Sequence, residues 1–236
     1  MLKETKKFHQ RTKLSNMQKD PEGPVPISYI HVFHKEYPRF KKVDLPTIDY
    51  SDSEFETALD YRESTRSFSD DPLKLEHLSK VLQTCRIVDP NRNPERRTYP
   101  SGGARFPVEL YVICYNVENL PRGVYHYNIR NRNLEVLLEK DLNTRRRELI
   151  SEYLDNPAAS IFLTTVLPRS EIKYGHKGYT YSFIEAGHIG QNMQIACVEL
   201  GIGCCSVSGF VDDTVSELLD LVEDEFPIYS ICIGNR

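Results

Sequence analysis

This sequence of 236 residues lacks the features that identify several large classes of protein. Neither sign of charge dominates, because 30 Lys and Arg residues oppose 34 Asp and Glu residues and leave a net charge of −4. Such a balance provides no general attraction to nucleic acid or to an anionic membrane. No apolar run is long enough to cross a bilayer, and the charged segment 1–7 lacks the apolar stretch of a signal peptide. We therefore expect a cytoplasmic protein with no nucleic-acid or membrane partner.

Signatures of common metal and dinucleotide sites are also absent. The 6 cysteines form no Cys-x-x-Cys pair, and no histidine-rich cluster accompanies the adjacent Cys204 and Cys205, so no metal site is predicted. Most of these thiols lie in apolar stretches, which is typical of buried side chains. The Gly-x-Gly-x-x-Gly loop is missing, and strands and helices do not alternate regularly, which argues against a dinucleotide-binding fold.

The composition is that of a globular domain preceded by a polar arm. Hydrophobic residues make up 39% and charged residues 27% of a chain that is long enough to bury a large core. Residues 1–50 are polar and contain several prolines, and their aromatic residues, such as Tyr29, Phe33 and Tyr37, predict docking against a surface. We therefore divide the chain into an N-terminal arm, residues 1–50, and one domain, residues 51–236.

Hydrophobic patterns predict both strands and helices in this domain. The predicted strands cover residues 109–115, 124–127, 134–138, 159–167, 203–208 and 226–233. The predicted helices cover residues 52–62 (capped by Asp52 or Ser53), a segment opened by Asp71 and Pro72, residues 142–154, residues 181–200 and a short segment capped by Asp213 or Thr214. Residues 88–97 and 169–178 are polar and aperiodic, and they are predicted as loops. The pattern indicates one α+β domain with a central sheet.

The predicted helix over residues 181–200 is apolar on nearly every side, which is typical of a central helix. Gly187 and Gly190 lie three residues apart within it and lower its helix propensity. Small residues at this spacing allow another element to approach closely. They suit a seam between two copies of the chain and core packing within one copy equally well.

A proline- and glycine-containing loop, residues 99–107, leads directly into the strand predicted over residues 109–115. Pro100 and Pro107 fix φ, whereas Gly102 and Gly103 permit positive φ, so the loop has a defined shape and a bare backbone. Such a backbone can approach a ligand closely. By itself the motif is more often only a turn.

Arg62 and Arg66 are four residues apart, and Ser64 lies between them. In a helical turn the two guanidinium groups would point the same way. The spacing alone favours a solvated basic patch. A phosphate clamp is the alternative, because guanidinium groups bind phosphate oxygens in a bidentate manner and a hydroxyl adds a further donor.

Residues 62–68, 100–107 and 185–192 together resemble the nitroreductase superfamily. Residues 8–15 are similar to the aromatic-His-x-x-Thr-Lys arm of its SagB-type branch, the FMN-dependent dehydrogenases that oxidise azolines in ribosomal peptide natural products. The resemblance covers most of the chain. It implies a nitroreductase-like α+β fold in which a mostly antiparallel central sheet is flanked by helices, one of them long and buried. It also implies a homodimer with the active site at the interface.

The resemblance further implies a set of FMN-binding residues. Arg62, Ser64 and Arg66 would hold the phosphate and the ribityl chain, and Arg236 would add a basic contact to the phosphate. Pro100, Ser101 and Gly102 would reach the flavin from the partner subunit, and the backbone of Ser208 and Gly209 would meet its O4/N5 edge. Ala104 departs from the asparagine that nitroreductases often carry in this loop.

Lys173 and Tyr174 resemble the Lys–Tyr pair of the azoline oxidases, which implies a catalytic role. Oxidation of an azoline removes a proton from the α-carbon and a hydride, so a base is required. A lysine serves as that base near neutral pH only when burial or neighbouring cations displace its proton. The alternative is an exposed Lys–Tyr pair on a surface loop.

We therefore expect an FMN-dependent dehydrogenase that converts thiazolines or oxazolines in a peptide to azoles. A cyclodehydratase is a possible partner in a biosynthetic complex. One alternative is an NAD(P)H-dependent nitroreductase or dehydroamino-acid reductase of the same fold that acts on a peptide or small molecule. Another is a flavin-free scaffold subunit, against which the intact set of Arg62, Ser64, Arg66 and Ser101 argues.

Overall fold

The computed structural model describes most of the chain. The described residues are 2–16, 23–24, 32, 34–49, 53–151 and 153–236. The predicted arm residues Tyr29 and Phe33 and the proposed helix cap Asp52 lie outside them. Within the described ranges, no helix is long and apolar enough to cross a membrane.

Two sheets are present among the described residues, and the larger one forms the centre of the fold. Two short strands, β1 (Ile87–Asp89) and β2 (Arg96–Arg97), pair with each other inside a segment that the sequence predicted as a loop. The other strands are β3 (Val108–Cys114), β4 (Gly123–Asn128), β5 (Asn133–Glu139), β6 (Ala159–Val166), β7 (Gly203–Val207) and β8 (Glu225–Gly234). They form a six-stranded sheet of order β5-β4-β3-β6-β8-β7 in which all neighbours are antiparallel. The α+β class with an antiparallel sheet is confirmed.

Helices cover both faces of this sheet. They are α1 (Leu2–Thr12), α2 (Glu54–Tyr61), α3 (Leu75–Gln83), α4 (Arg146–Leu149), α5 (Pro168–Tyr174), α6 (Lys177–Glu199) and α7 (Asp212–Leu218). Successive strand residues point to opposite faces, so Val112 joins the core under α6 whereas Ile113 joins the core under α4 and α7. All 6 cysteines are buried and free, as predicted.

The long helix α6 has 23 residues and packs on the sheet. It ends before Gly201, whose φ of 67° is the left-handed conformation that commonly ends a helix. A Cβ on Gly190 would lie 2.7 Å from the ring of Tyr229 on β8, so this glycine allows helix and sheet to approach within one chain. Gly187, in contrast, faces open space. Core packing therefore accounts for Gly190 and leaves Gly187 available to another element.

Two predicted helix details are wrong. The helix predicted over residues 142–154 is only a 3₁₀ turn, Asn143–Arg145, followed by the four residues of α4. The chain leaves α4 at Ile150 in an extended conformation, which lets the Ser151 hydroxyl donate a hydrogen bond to the Gly209 carbonyl at 2.8 Å. Helix α7 begins after Val211 and has no side-chain cap, so neither Asp213 nor Thr214 caps it. The Asp213 carboxylate instead forms an ion pair with Lys13 at 2.6 Å.

Helices α1 and α5 were not predicted, and polar side chains dock them against each other. The Thr5 hydroxyl of α1 donates to the buried carboxylate of Glu171 on α5 and lies 2.7 Å from His176 Nδ1. His9 Nδ1 lies 3.1 Å from the Tyr179 hydroxyl on α6. Thr5 and His9 are buried although the helix itself is strongly polar. The N-terminal segment therefore begins as a helix that packs on the domain.

Candidate functional site

Residues 99–107, called the glycine loop below, have a compact and well-defined backbone. The Ser101 hydroxyl accepts a hydrogen bond from the Phe106 amide at 2.9 Å, which links the two ends of the loop. A 3₁₀ turn over Gly102–Ala104 lies between them. Gly103 has a φ of 59°, and Ala104 and Phe106 also have positive φ. This conformation strains residues with a side chain, so the loop is held in a fixed shape.

Lys173 and Tyr174 pack directly against this loop. They lie on α5 rather than on a loop, so the predicted loop over residues 169–178 is wrong. The Tyr174 hydroxyl occupies the position that a Cβ of residue 103 would take, and Lys173 Nζ lies 2.7 Å from that position. A Cβ on Gly102 would lie 3.0 Å from the Tyr181 ring, which lies 4.9 Å from the Tyr174 ring. The structure thus brings together two groups that come from separate parts of the sequence.

Glu185 of α6 is a buried acid to which sequence analysis assigned no role. It is only 1% exposed, and its Oε1 accepts a long hydrogen bond of 3.4 Å from the Val108 amide. The Ser101 side chain lies close to the same carboxyl. Oε2 has no partner among the described residues. Burial raises the pKa of Glu185 to about 7. An acid in the middle of an apolar helix is the sequence signal that could have identified it.

Residues 62–66, called the arginine segment, are not helical, so Arg62 and Arg66 do not share the side of a helical turn. The segment runs beside the edge strand β7, and the Thr65 amide donates to the Cys204 carbonyl at 2.8 Å. Arg62, Ser64 and Arg66 therefore occupy alternate positions of a non-helical chain, and Ser64 and Arg66 are exposed. In the part of the chain that the structure describes, neither guanidinium group has an ion-pair partner. Two unpaired cations with a hydroxyl between them fit a phosphate.

Arg236 lies in different surroundings from the arginine segment. Its guanidinium group forms an ion pair with Glu63 at 2.8 Å. The groove that it lines also contains Glu54, Asp60 and Glu199. This acidic environment gives the expected phosphate contact of Arg236 no support.

Ser208 and Gly209 follow β7 at the end that lies away from the arginine segment. The Gly209 carbonyl is held by Ser151, whereas Ser208 is exposed and lines a cavity of about 370 Å³. This cavity, called the β7 cavity, is further lined by residues of α1, α6 and β8, including His9, Thr12, Phe183, Gly187 and Tyr229. The expected flavin-edge residues therefore border a space that can hold a small ring.

The β7 cavity is nearly free of charge. No lysine or arginine is among the described residues that line it. His9 is 2% exposed, its Nε2 has no partner within the described residues, and burial lowers its pKa to about 4. The imidazole is therefore neutral at physiological pH. The Asp212 carboxylate is engaged by the Leu14 amide. A neutral ring suits this cavity better than an anionic group does.

The glycine loop and the β7 cavity lie on different faces of α6. The loop approaches Tyr181 and Glu185, whereas the cavity is lined by Tyr179, Phe183, Ala186 and Gly187. Helix residues are offset by about 100°, so Tyr181 and Phe183 point about 160° apart. Within one chain, the loop therefore cannot reach the cavity beside Ser208.

Three comparisons relate this chain to known proteins. A protein of Methanocaldococcus jannaschii named as a nitroreductase is 28% identical over 197 residues, which cover 83% of this chain and 96% of that protein. The microcin B17-processing protein McbC of Escherichia coli is 25% identical over 228 residues, 92% of this chain and 83% of that protein. A chain in the structure of the Escherichia coli microcin synthetase McbBCD complex with truncated pro-MccB17 bound superposes with a TM-score of 0.78. That match is 23% identical and covers 100% of this chain and 92% of the other, so it establishes the fold.

The strongest statement about identity comes from the family comparison. The sequence profile of the nitroreductase family matches residues 59–235, which include the arginine segment from Arg62 onwards, the glycine loop, α6 and β7. The match thus contains most of the described domain and nearly every element of the candidate site. The resemblance read from the sequence is confirmed, and the chain belongs to the nitroreductase family.

Proposed function

We propose that this protein is an FMN-dependent dehydrogenase that oxidises azolines in a peptide to azoles, and that it acts as a homodimer. The observation that carries the proposal is the packing of Lys173 and Tyr174 against Gly103. A proton-transfer pair then stands beside the loop that is expected to approach the flavin. A Cβ on Gly103 would lie 2.7 Å from Lys173 Nζ, so a side chain at this position would displace the pair.

FMN would be held mainly by the arginine segment. Arg62 and Arg66 supply unpaired positive charge for the phosphate, and the exposed Ser64 hydroxyl supplies a further donor. The backbone after β7, at Ser208 and Gly209, offers donors for the flavin edge. When bound, FMN supplies the acceptor for the hydride that leaves the azoline. A flavin-free scaffold would have no use for two unpaired guanidinium groups.

Lys173 and Tyr174 would handle the proton. Oxidation of an azoline removes one hydride and one proton. Lys173 is exposed in the single chain, so bound flavin, peptide and partner copy would have to cover its amine before Nζ could take the proton from the α-carbon of the ring. The Tyr174 ring lies beneath Lys173 Nζ at 5.3 Å, so the aromatic face helps to fix the position of the amine. The Tyr174 hydroxyl, which packs on Gly103, would orient the ring of the substrate.

The β7 cavity would accept the heterocycle. Its volume of about 370 Å³ lies at the small end of ligand sites and suits a five-membered ring with a neighbouring side chain. The described lining residues include no lysine or arginine, so the pyrophosphate of a nicotinamide cofactor would find no cation there. This favours a neutral peptide heterocycle over NAD(P)H as the second ligand.

A second copy of the chain would complete the site. A third side of α6 lies between the side that faces the glycine loop and the side that lines the β7 cavity. Its residues are spaced four and three positions apart: Ile184, His188, Gln191 and Ile195. Ile184 is 53% exposed, and the adjacent Phe183 is 41% exposed. A partner packed on this third side would bring its own glycine loop toward the β7 cavity. Such a contact would also cover Gly187, which faces open space.

The relatives support peptide processing in a larger assembly. McbC is named as a microcin B17-processing protein, and the matched structure is a synthetase complex with a truncated precursor bound. By analogy, this protein would act on a ribosomal peptide next to a cyclodehydratase that forms the azoline. We place this reaction in the cytoplasm.

The experiment is to purify the protein, record its visible spectrum and incubate it in air with a peptide that contains one thiazoline. We expect a bound flavin spectrum and a product that is lighter by two hydrogen atoms. Lys173→Ala should retain the spectrum and lose oxidation, whereas Lys177→Ala, a neighbouring exposed lysine, should retain both. A colourless protein that takes up no FMN would refute the proposal. Oxidation of NAD(P)H with a nitroaromatic compound, without azole formation, would favour a reductase.

A further inference from the structure

Glu185 lies behind the glycine loop. Val108, which directly follows the loop, donates its amide to Oε1 at 3.4 Å, and the Ser101 side chain near the start of the loop lies close to the carboxyl. We propose that Glu185 is a positioning residue that holds the glycine loop against α6, and that loss of its proton releases the loop. The proposal concerns the loop of this chain alone, so it can be tested without FMN.

The cations near Glu185 are already paired with other acids. Arg97 forms an ion pair with Glu95 at 2.6 Å, and Arg169 forms one with Glu109. Neither guanidinium group is therefore a dedicated partner for an ionised Glu185. A buried carboxylate without a partner is unfavourable, so the folded loop favours the protonated acid.

The other titratable groups around Glu185 are neutral. Burial raises the pKa of Cys85 to about 12 and raises the pKa of Tyr99 well above its ordinary value. Neither group carries a charge between pH 6 and pH 8. Burial raises the pKa of Glu185 itself to about 7, which places its ionisation within that range. Ionisation of Glu185 is then the main change of charge between the glycine loop and α6 from pH 6 to pH 8.

Release of the loop would disturb the Lys–Tyr pair as well. Gly103 lies against Lys173 and Tyr174, and the Tyr174 ring packs against Tyr181 of α6. The ring of Phe106 lies 4.0 Å from the Arg97 guanidinium group, which further ties the loop to β2. When Glu185 loses its proton, hydration of the carboxylate requires the seam between loop and helix to open. The loop, and with it the surface on which the Lys–Tyr pair packs, would then become mobile.

The test is amide hydrogen exchange of a peptide that covers residues 99–110, measured in the protein without FMN. Rates are corrected with the same peptide in isolation. A carboxyl with a pKa of about 7 in the closed loop and 4.5 in the open loop predicts about tenfold more opening at pH 8 than at pH 6. Glu185→Gln should abolish this difference and keep the loop closed. Glu185→Met, which cannot accept the hydrogen bond from the Val108 amide, should exchange fast at both pH values.

Glu171→Gln is the matched control, because Glu171 is also a buried acid but bonds to Thr5 rather than to the loop. It should retain the tenfold change of the unmodified protein. Peptides from β6 report whether each variant is folded. A pH-independent loop in the unmodified protein, or a Glu185→Gln variant that keeps the tenfold change, would overturn the inference. Either result would leave the proposed oxidation of azolines standing.

Discussion

The glycine loop and the arginine segment differ in how far a single chain satisfies their polar groups. The loop is enclosed: Ser101 binds the Phe106 amide, Glu185 lies behind it, and Tyr174 covers Gly103. The arginine segment is held to β7 by its backbone and leaves its guanidinium groups without ion-pair partners among the described residues. One region is ordered by its own chain, whereas the other presents charge that suits a bound anion.

This difference separates structural roles from ligand-binding roles. Substitutions in the loop are expected to change local packing and the position of Lys173 and Tyr174. Substitutions in the arginine segment are expected to change the affinity for FMN with little effect on folding. The following predictions test that separation, from the largest expected effect to the smallest.

The largest effect is expected from removing both free cations of the arginine segment. Arg62→Ala combined with Arg66→Ala should weaken FMN binding by at least about 100-fold, because each charge-assisted hydrogen bond contributes about 1.5–3 kcal/mol. The melting temperature without FMN should change little. Titration of the apoprotein with FMN, followed by flavin fluorescence, measures the affinity. The control is Arg92→Ala combined with Arg130→Ala, because these two arginines are exposed elsewhere on the surface. If the control lost as much affinity for FMN, the effect would come from the overall charge and not from a phosphate contact.

A change in pH dependence is expected from Glu185→Gln. Burial raises the pKa of Glu185 to about 7 from an ordinary 4.5, so the folded state binds the proton more tightly than the unfolded state. Stability should therefore fall as pH rises from about 4.5 to about 7, by about 3 kcal/mol in total. Glu185→Gln lacks this titration. The difference between its free energy of unfolding in urea and that of the unmodified protein should therefore shift by about 3 kcal/mol in favour of the variant between pH 5 and pH 8. A constant difference between the two proteins would contradict the assignment.

Gly103→Ala should displace the Lys–Tyr pair. A Cβ here would overlap the Tyr174 hydroxyl, and the φ of 59° adds strain of about 1–2 kcal/mol. We expect at least about a tenfold loss of oxidation rate with FMN affinity unchanged. Gly201→Ala separates the two causes, because Gly201 also has positive φ but has nothing within 4 Å of a Cβ. If Gly201→Ala lost as much activity, strain rather than displacement would be responsible.

The smallest effect is expected from Arg236→Ala. Arg236 is paired with Glu63 at the surface, and exposed pairs contribute at most about 1 kcal/mol. FMN affinity should fall by less than about threefold in the same titration. If FMN affinity instead fell tenfold or more, Arg236 would contact the phosphate, as the family resemblance implies.

The sequence predicted most of the sheet because its strands bury apolar side chains. Residues 109–115 were expected as a strand, and β3 spans Val108–Cys114. Helices α1 and α5 were missed for the opposite reason: their buried residues are polar, Thr5 and His9 in one and Ser170 and Glu171 in the other. Apolar periodicity carries no signal for helices that dock through hydrogen bonds.

The candidate site was predicted in parts but not as an arrangement. The glycine loop and the Lys–Tyr pair were identified separately, and no sequence pattern shows that Tyr174 packs on Gly103. The spacing of Arg62 and Arg66 would place them on one side of a helical turn, but alternate residues of a non-helical chain beside β7 also share a side. Glu185 required the fold, since its importance comes from burial against a distant loop.

The most direct test of the central claim, that one copy's arginine segment and its partner's glycine loop form each site, is complementation between variants. Arg62→Ala/Arg66→Ala protein and Lys173→Ala protein, each inactive alone, are mixed and allowed to exchange subunits, and the tagged heterodimer is isolated. One of its two sites would then combine an intact arginine segment with the partner's intact lysine. We predict recovery of about half of the thiazoline oxidation per dimer. A heterodimer that forms but remains inactive would contradict a shared site.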